Sequence, residues 1–245
     1  MPNSLRSYGL LLRWNILRSR SILPVSLVIQ TLLSVGIVLG FSLLIPELDR
    51  TSALYLATGA PTVALISVGM VLAPQMVAQQ KQRGWFDYQR AMPVPRLAML
   101  AADATIWAAI ALPGVVAAVA VAVLRFDLAL AVSPLVVPAV LLAALVTVAI
   151  GYGIAYLTPP EVTTIVTNLV VIVALMFSPI NYPPERMPDW LAAAHQVLPF
   201  QYLAQAVRET LDVPAAGVPV LPFAVLAGWA VAGLSSTYRI MTRRP

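Results

Sequence analysis

The 245-residue chain has no cysteine and a single histidine, His195. Without cysteine there is no disulfide framework, no thiolate metal site and no cysteine nucleophile. A lone histidine without clustered acids lacks the several spaced ligands of a metal site, so His195 reads as an ordinary interfacial side chain. Charge is equally scarce: 10% of residues are charged and 60% apolar, with a mean hydropathy of +0.87. Soluble domains carry roughly 45–50% apolar and about 25% charged residues. Too little charge remains to cover a water-facing surface, so lipid is the main solvent. The length suits one membrane domain, residues 1–245, with no additional soluble catalytic domain.

Motifs of catalysis are missing too. There is no G-x-S-x-G elbow to present a serine nucleophile. No G-x-x-x-x-G-K-[ST] phosphate loop occurs, so ATP driving this protein has to be bound by another chain. The net charge of +5 does not signal a nucleic-acid partner, because the basic residues lie between long apolar runs rather than on a water-exposed patch. Arg18 and Arg20 precede an apolar stretch as in a signal peptide, but that stretch runs from Ser21 to Ile45 without an A-x-A site. A retained span is the better reading.

A helix crosses the ~30 Å hydrocarbon layer with about twenty apolar residues at ~1.5 Å each. Six runs qualify: about 21–45, 54–78, 97–124, 132–157, 162–180 and 217–239. None alternates as a strand would, and lipid tolerates no unpaired backbone, so the expected fold class is all-α with six transmembrane helices. With the N-terminus inside, eleven of the fifteen basic residues fall on the inner side and only Arg50, Arg125, Arg186 and Arg208 outside. The positive-inside rule then places both termini in the cytoplasm.

Charges within spans are default functional candidates because they cost free energy in lipid. Asp103 lies near the inner start of the third span, where snorkelling or local pairing is expected, and Glu161 sits in the exposed inner turn after Pro159-Pro160. The bilayer centre is thus nearly free of charge, which argues against proton or sodium coupling and suits bulky amphipathic cargo. Gly36-x-x-x-Gly40 and Gly151-Tyr152-Gly153 have the small-residue spacing that permits close helix approach.

Three segments outside the spans complete the pattern. Residues 4–20 form an interfacial helix, with Arg6, Arg13 and Arg20 along one stripe and Tyr8 and Trp14 as interfacial aromatics. Residues 79–96 are polar and basic, and Pro93 and Pro95 stop any helix there before the third span. Residues 178–217 hold two short apolar helices, about Trp190–Leu198 and Phe200–Leu211, too short to cross.

The order of these elements resembles the permease subunit of the type-2 ATP-binding-cassette exporters, particularly the small drug-resistance-like members. The inner segment offers Gln80-Lys81-Gln82-Arg83-Gly84-Trp85 and then Met92-Pro93-Val94-Pro95-Arg96. The outer segment offers Met187-Pro188-Asp189-Trp190-Leu191 and Leu198-Pro199-Phe200-Gln201-Tyr202-Leu203, followed by Arg208. Two positions depart from the family pattern: Gln79 or Gln80 replaces an acid, and Trp85 replaces a threonine.

The resemblance implies a permease without its own ATPase site or cofactor, with ATP and Mg on a separate ATPase subunit. It implies a pore made with a second permease chain, identical or not. It implies that residues 79–96 carry nucleotide-driven movement into the spans: Lys81, Arg83 and Arg90 meet acids of the ATPase, Gly84 admits a close backbone approach, and Trp85, Pro93 and Arg96 frame the segment. The expected setting is a bacterial cytoplasmic membrane, consistent with Ala-, Val- and Arg-rich usage. The expected cargo is a hydrophobic or amphipathic compound such as a drug or antibiotic. Export of lipid-linked polysaccharide or glycolipid, and a non-transporting assembly role, are the alternatives.

Overall fold

A computed structural model describes residues 4–20, 23–44, 49–84, 94–215 and 217–242. Helix α1 is Ser4–Ser19 and α2 is Leu23–Leu44. The second span is built of α3 (Arg50–Ser67), a π-helical turn (Val68–Leu72) and α4 (Ala73–Gln82). Then follow α5 (Arg96–Phe126), α6 (Val136–Leu157) and α7 (Pro160–Phe177). The connection after α7 carries α8 (Asp189–His195) and α9 (Pro199–Leu211), and α10 is Leu221–Thr242. Among the described residues six helical stretches are long and apolar enough to cross a membrane, and no strand occurs.

The span boundaries differ from those read off hydropathy, for local reasons. The second span is a 33-residue helix from Arg50 to Gln82 rather than about 54–78. Its polar ends continue the helix into the interface, because hydropathy measures lipid exposure and not helicity. The fourth starts at Val136 rather than 132, after a turn at Ser133-Pro134. The fifth begins at Pro160, since proline is favoured at the first helical position. It ends at Phe177 rather than 180: Ser178 precedes Pro179 and is extended (φ −96°, ψ 145°), as a pre-proline residue prefers. The last span is shifted to Leu221–Thr242 from 217–239.

The second span is the axis of the bundle. In its apolar window 83% of residues are buried, against 17% in α2 and 22% each in α7 and α10, so these three helices lie at the periphery. Around the axis pack α2, α5, α6 and α9. Val63, Leu65, Ile66 and Met70 are each at most 2% exposed in the main core, facing Val146 of α6 and Leu203 and Val207 of α9. A second core at the end bearing the N-terminus joins Leu11 of α1 to Val77, Met99 and Tyr152.

The π turn has a sequence cause. Pro74 has no N–H, so the helix cannot close the usual bond onto Met70. One turn widens instead, and the Ala73 N–H reaches back five residues to the Val68 carbonyl. The turn lies where the second and fourth spans touch most closely. A Cβ on Gly69 would collide with Thr147, and one on Gly151 with the Gly69 carbonyl. Gly36, Gly40 and Gly153, by contrast, have open space beside them within this chain.

Two nearby substitutions separate packing from composition. Gly151→Ala puts a methyl into the Gly69 carbonyl and is expected to cost about 1–3 kcal/mol, as overpacking does. Gly153→Ala, with nothing within 4 Å, is expected to leave stability level or slightly raised. Thermal melting of the two purified variants in detergent compares them directly, and equal melting would contradict the close crossing.

Candidate coupling site

The helix α4 ends the second span in Gln79-Gln80-Lys81-Gln82, and each side chain described here bears on a neighbouring element. Lys81 turns inward: its Nζ donates to the carbonyls of Ala155 (2.5 Å), Tyr156 (3.2 Å) and Thr158 (3.2 Å). It also lies 5.7 Å from the centroid of the Tyr156 ring. The last turn of a helix has carbonyls without intrahelical partners and a partial negative charge, so an ammonium there satisfies both needs. Lys81 thus fastens the end of the second span to the end of the fourth.

Gln82 Nε2 donates weakly to Glu161 Oε1 at 3.5 Å, reaching the start of α7. The 158–161 turn is itself braced, with Thr158 and Thr163 hydroxyls 2.8 Å apart and Thr163 Oγ1 donating to the Pro159 carbonyl. Helix α4 is therefore joined to both α6 and α7 by polar contacts.

Beyond Lys81 the chain turns outward. Arg83 and Gly84 are exposed. Gly84 adopts φ 71° with nothing near its α-carbon, and its N–H closes onto the Lys81 carbonyl at 3.1 Å. Its value is the left-handed conformation that ends the helix, which glycine adopts without strain. Trp85, Arg90 and Pro93 lie outside the described residues. Arg96 is the first residue of α5, with Pro95 as its extended N-cap.

A second polar cluster ties α1 to the same end. Asn15 Nδ2 donates to Asp103 Oδ1 at 2.6 Å. The Tyr152 hydroxyl and Arg18 lie close enough to act on the charge of Asp103. Trp107 Nε1 in turn donates to the Tyr152 oxygen at 2.9 Å. Asp103 is thus met from α1, 88 residues away in sequence, rather than by the local pairing or snorkelling expected. These groups border a cavity of about 130 Å³ that is also lined by Gln75 and Gln79.

Arrangement and chain order agree with a family model. The model for the ABC-2 type transporter matches residues 10–211, from α1 through the end of α9. The chain belongs to the ABC-2 type transporter family. No curated protein matches it. As an ABC-2 permease it is a transmembrane component of an ABC transporter, and in such systems ATPase activity lies in separate subunits.

The far end of the permease is organised differently. A cavity of about 490 Å³ opens between α2, α3 and α7, with Ile37, Phe41, Leu56, Val63, Leu175 and Met176 as apolar walls. Asn181, Tyr182 and Pro183 also line it. His195 is 3% exposed, with Nε2 3.0 Å from the Phe177 carbonyl, so it joins α8 to the end of α7. Burial lowers its pKa and favours the neutral ring.

Three of these features escaped the sequence reading. The inward turn of Lys81 depends on where the fourth span ends in space. Gln30, buried in α2 with Nε2 donating to the Ala64 carbonyl at 2.8 Å, is a lone amide in an apolar run and was the signal available. Arg208 is described below.

The Asn15–Asp103 contact makes a local prediction. Asn15→Leu removes a donor from a partly buried carboxylate, a loss of about 1–3 kcal/mol. In the purified protein, trypsin cleavage after Arg13 and Arg18 is expected to speed up several-fold as α1 loosens. Tyr8→Phe, which breaks only the exposed Tyr8–Thr105 hydroxyl contact of 3.0 Å, is expected to change cleavage little.

Proposed function

We propose that this chain is the membrane half of an ATP-driven exporter of hydrophobic or amphipathic compounds, drugs or antibiotics among them. In this reading it sits in a bacterial cytoplasmic membrane with both termini inside. A separate ATPase, carrying ATP and Mg, docks on residues 79–96, and a second permease chain completes the pore.

The observation that carries the reading is the division of labour at the end of α4. Lys81 is held on three carbonyls of its own chain, while Arg83 and Gly84, two and three residues further on, are exposed. A partner touching the exposed residues pushes on α4, and Lys81 and Gln82 pass the push to the α6–α7 turn. Arg83 and Arg90 then supply the charges that meet acids of the ATPase, and Lys81 acts as transmitter.

Cargo class is supported by the cavity at the far end, whose walls are apolar on three helices. An apolar cleft takes its driving force from burying ligand surface, with few polar groups to set orientation. A second permease chain is supported by the low burial of α2 and α7, which leaves long apolar faces for lipid or another subunit.

The test uses the permease co-expressed with a phosphate-loop ATPase from the same genome, any encoded in a neighbouring reading frame being tried first. Arg83→Glu with Arg90→Glu is expected to abolish co-purification. Lys81→Met is expected to keep the ATPase bound while lowering export of a fluorescent amphipathic cation such as rhodamine 6G at least several-fold. Association and export both surviving the double charge reversal would remove the docking claim. Absence of any ATPase partner would remove the exporter reading as a whole.

A further inference from the structure

Arg208 carries a charge from the connection after α7 into the packed part of the bundle. It belongs to α9, a 13-residue helix with Leu203, Ala204, Ala206 and Val207 fully buried. Its guanidinium contacts two other elements. Nη2 donates to the Ile180 carbonyl at 2.7 Å and Nε donates to Thr58 Oγ1 at 3.1 Å. The planar group lies 3.8 Å from the centroid of the Tyr55 ring, within cation–π range.

The acceptors are arranged for it. Thr58 gives its own proton to the Leu54 carbonyl at 2.8 Å, which leaves oxygen lone pairs for Arg208. Tyr55 and Thr58 are neighbours on one face of α3, three residues apart. Ile180 follows Pro179 in the connection after α7, and its carbonyl would otherwise lack a helix partner. Burial lowers the pKa of Arg208 only to about 10, so it stays a cation near neutral pH.

The seam beneath the guanidinium is tight. A Cβ on Gly59 would lie 2.7 Å from the Ile180 oxygen and would collide with the Asn181 side chain. Only glycine there lets the 180–181 backbone rest directly on α3. Asn181 Oδ1 is buried at this contact with no hydrogen-bond partner, which makes the seated state less favourable by itself. The Arg208 guanidinium holds the same segment through the Ile180 carbonyl.

We infer that Arg208 is the positioning residue that holds segment 180–183 down as the roof of the 490 Å³ cavity. One side chain joins α9, α3 and this segment, and the three residues that follow Ile180 line the cavity. The clamp is made of a charge and polar acceptors rather than apolar packing, so its contacts can be exchanged for water when the roof lifts. Apolar surface would have to be exposed in its place. That the roof lies on a route taken by cargo rests on the exporter reading; the clamp itself does not.

The natural absence of cysteine provides the test. Thr62→Cys places a near-isosteric thiol one turn along α3 from Thr58, at a position with 0% exposure. Ala155→Cys places a second thiol at the opposite end of the bundle, also at 0%. Each is introduced singly into the full chain in nanodiscs, where both faces are open to reagent, and its reaction rate with N-ethylmaleimide is measured.

Adding Arg208→Met is expected to raise the rate at position 62 about tenfold or more and to leave position 155 unchanged. Arg208→Lys, which keeps the charge but not the fork, is expected to fall between. An unchanged rate at position 62 in folded Arg208→Met protein overturns the inference. Equal acceleration at both positions also overturns it, because Arg208 would then be a general stabiliser. Should Arg208→Met fail to fold, Tyr55→Leu removes the ring beneath the guanidinium and is judged by the same two rates. None of these readings needs an ATPase, so failure of the exporter reading leaves them separable.

Discussion

Lipid supplies no hydrogen bonds, so a polar group carried into a span gains most by finding its partner inside the protein. The bundle is arranged around that constraint. Gln30 caps its amide on a carbonyl of the second span, and Thr58, Thr62 and Ser34 each donate to a carbonyl three or four residues back on their own helix. Asp103 is met by Asn15, and Lys81 by the open end of α6. The hydrophobic effect gives helices in lipid little reason to associate. What selects these neighbours is close contact at small residues and the need to satisfy a few polar atoms. Removing a partner leaves an uncompensated group in a medium that cannot replace it, so the polar contacts specify the helix arrangement even though they are few.

Much of this was legible before any coordinates. The spans follow from apolar run length alone, because roughly twenty residues of a helix are needed in any bilayer. The short helices α8 and α9 announce themselves through Pro188 and Pro199, each just ahead of an apolar stretch. Helix α1 is visible because Tyr8, Trp14 and the arginines suit an interface. What stayed hidden depends on the third dimension. Gly69 and Gly151 are 82 residues apart in sequence, and nothing in either neighbourhood says that they meet. Of the glycines whose spacing suits close packing, Gly151 makes the close contact, whereas Gly36, Gly40 and Gly153 face open space within the chain.

The candidate coupling site shows the same division. Its location, between the second and third spans, was readable from a polar, basic composition that no span tolerates. The roles inside it were not. Lys81 and Arg83 look interchangeable in sequence, two cations separated by one residue. On a helix two residues are about 200° apart, so one points into the bundle and the other away from it. That angle assigns one to the chain's own carbonyls and leaves the other at the surface.

The second span joins the two ends and is where their couplings meet. At one end Lys81 binds it to the α6–α7 turn; at the other Tyr55 and Thr58 hold Arg208 and, through it, the connection that follows α7. Helix α7 is thus gripped at both ends by the same span while its own middle is largely unburied. Between the grips lies the π turn, the one place where the second span departs from α geometry among the described residues. A π turn has weaker, longer-reaching bonds than the helix around it and is often a point of functional adjustment. Gly69 within it abuts α6 without a side chain, so a small change of angle there meets backbone and one threonine rather than interlocked side chains. The second span thus holds the two ends of α7 by polar contacts, with its π turn and the glycine crossing onto α6 lying between them.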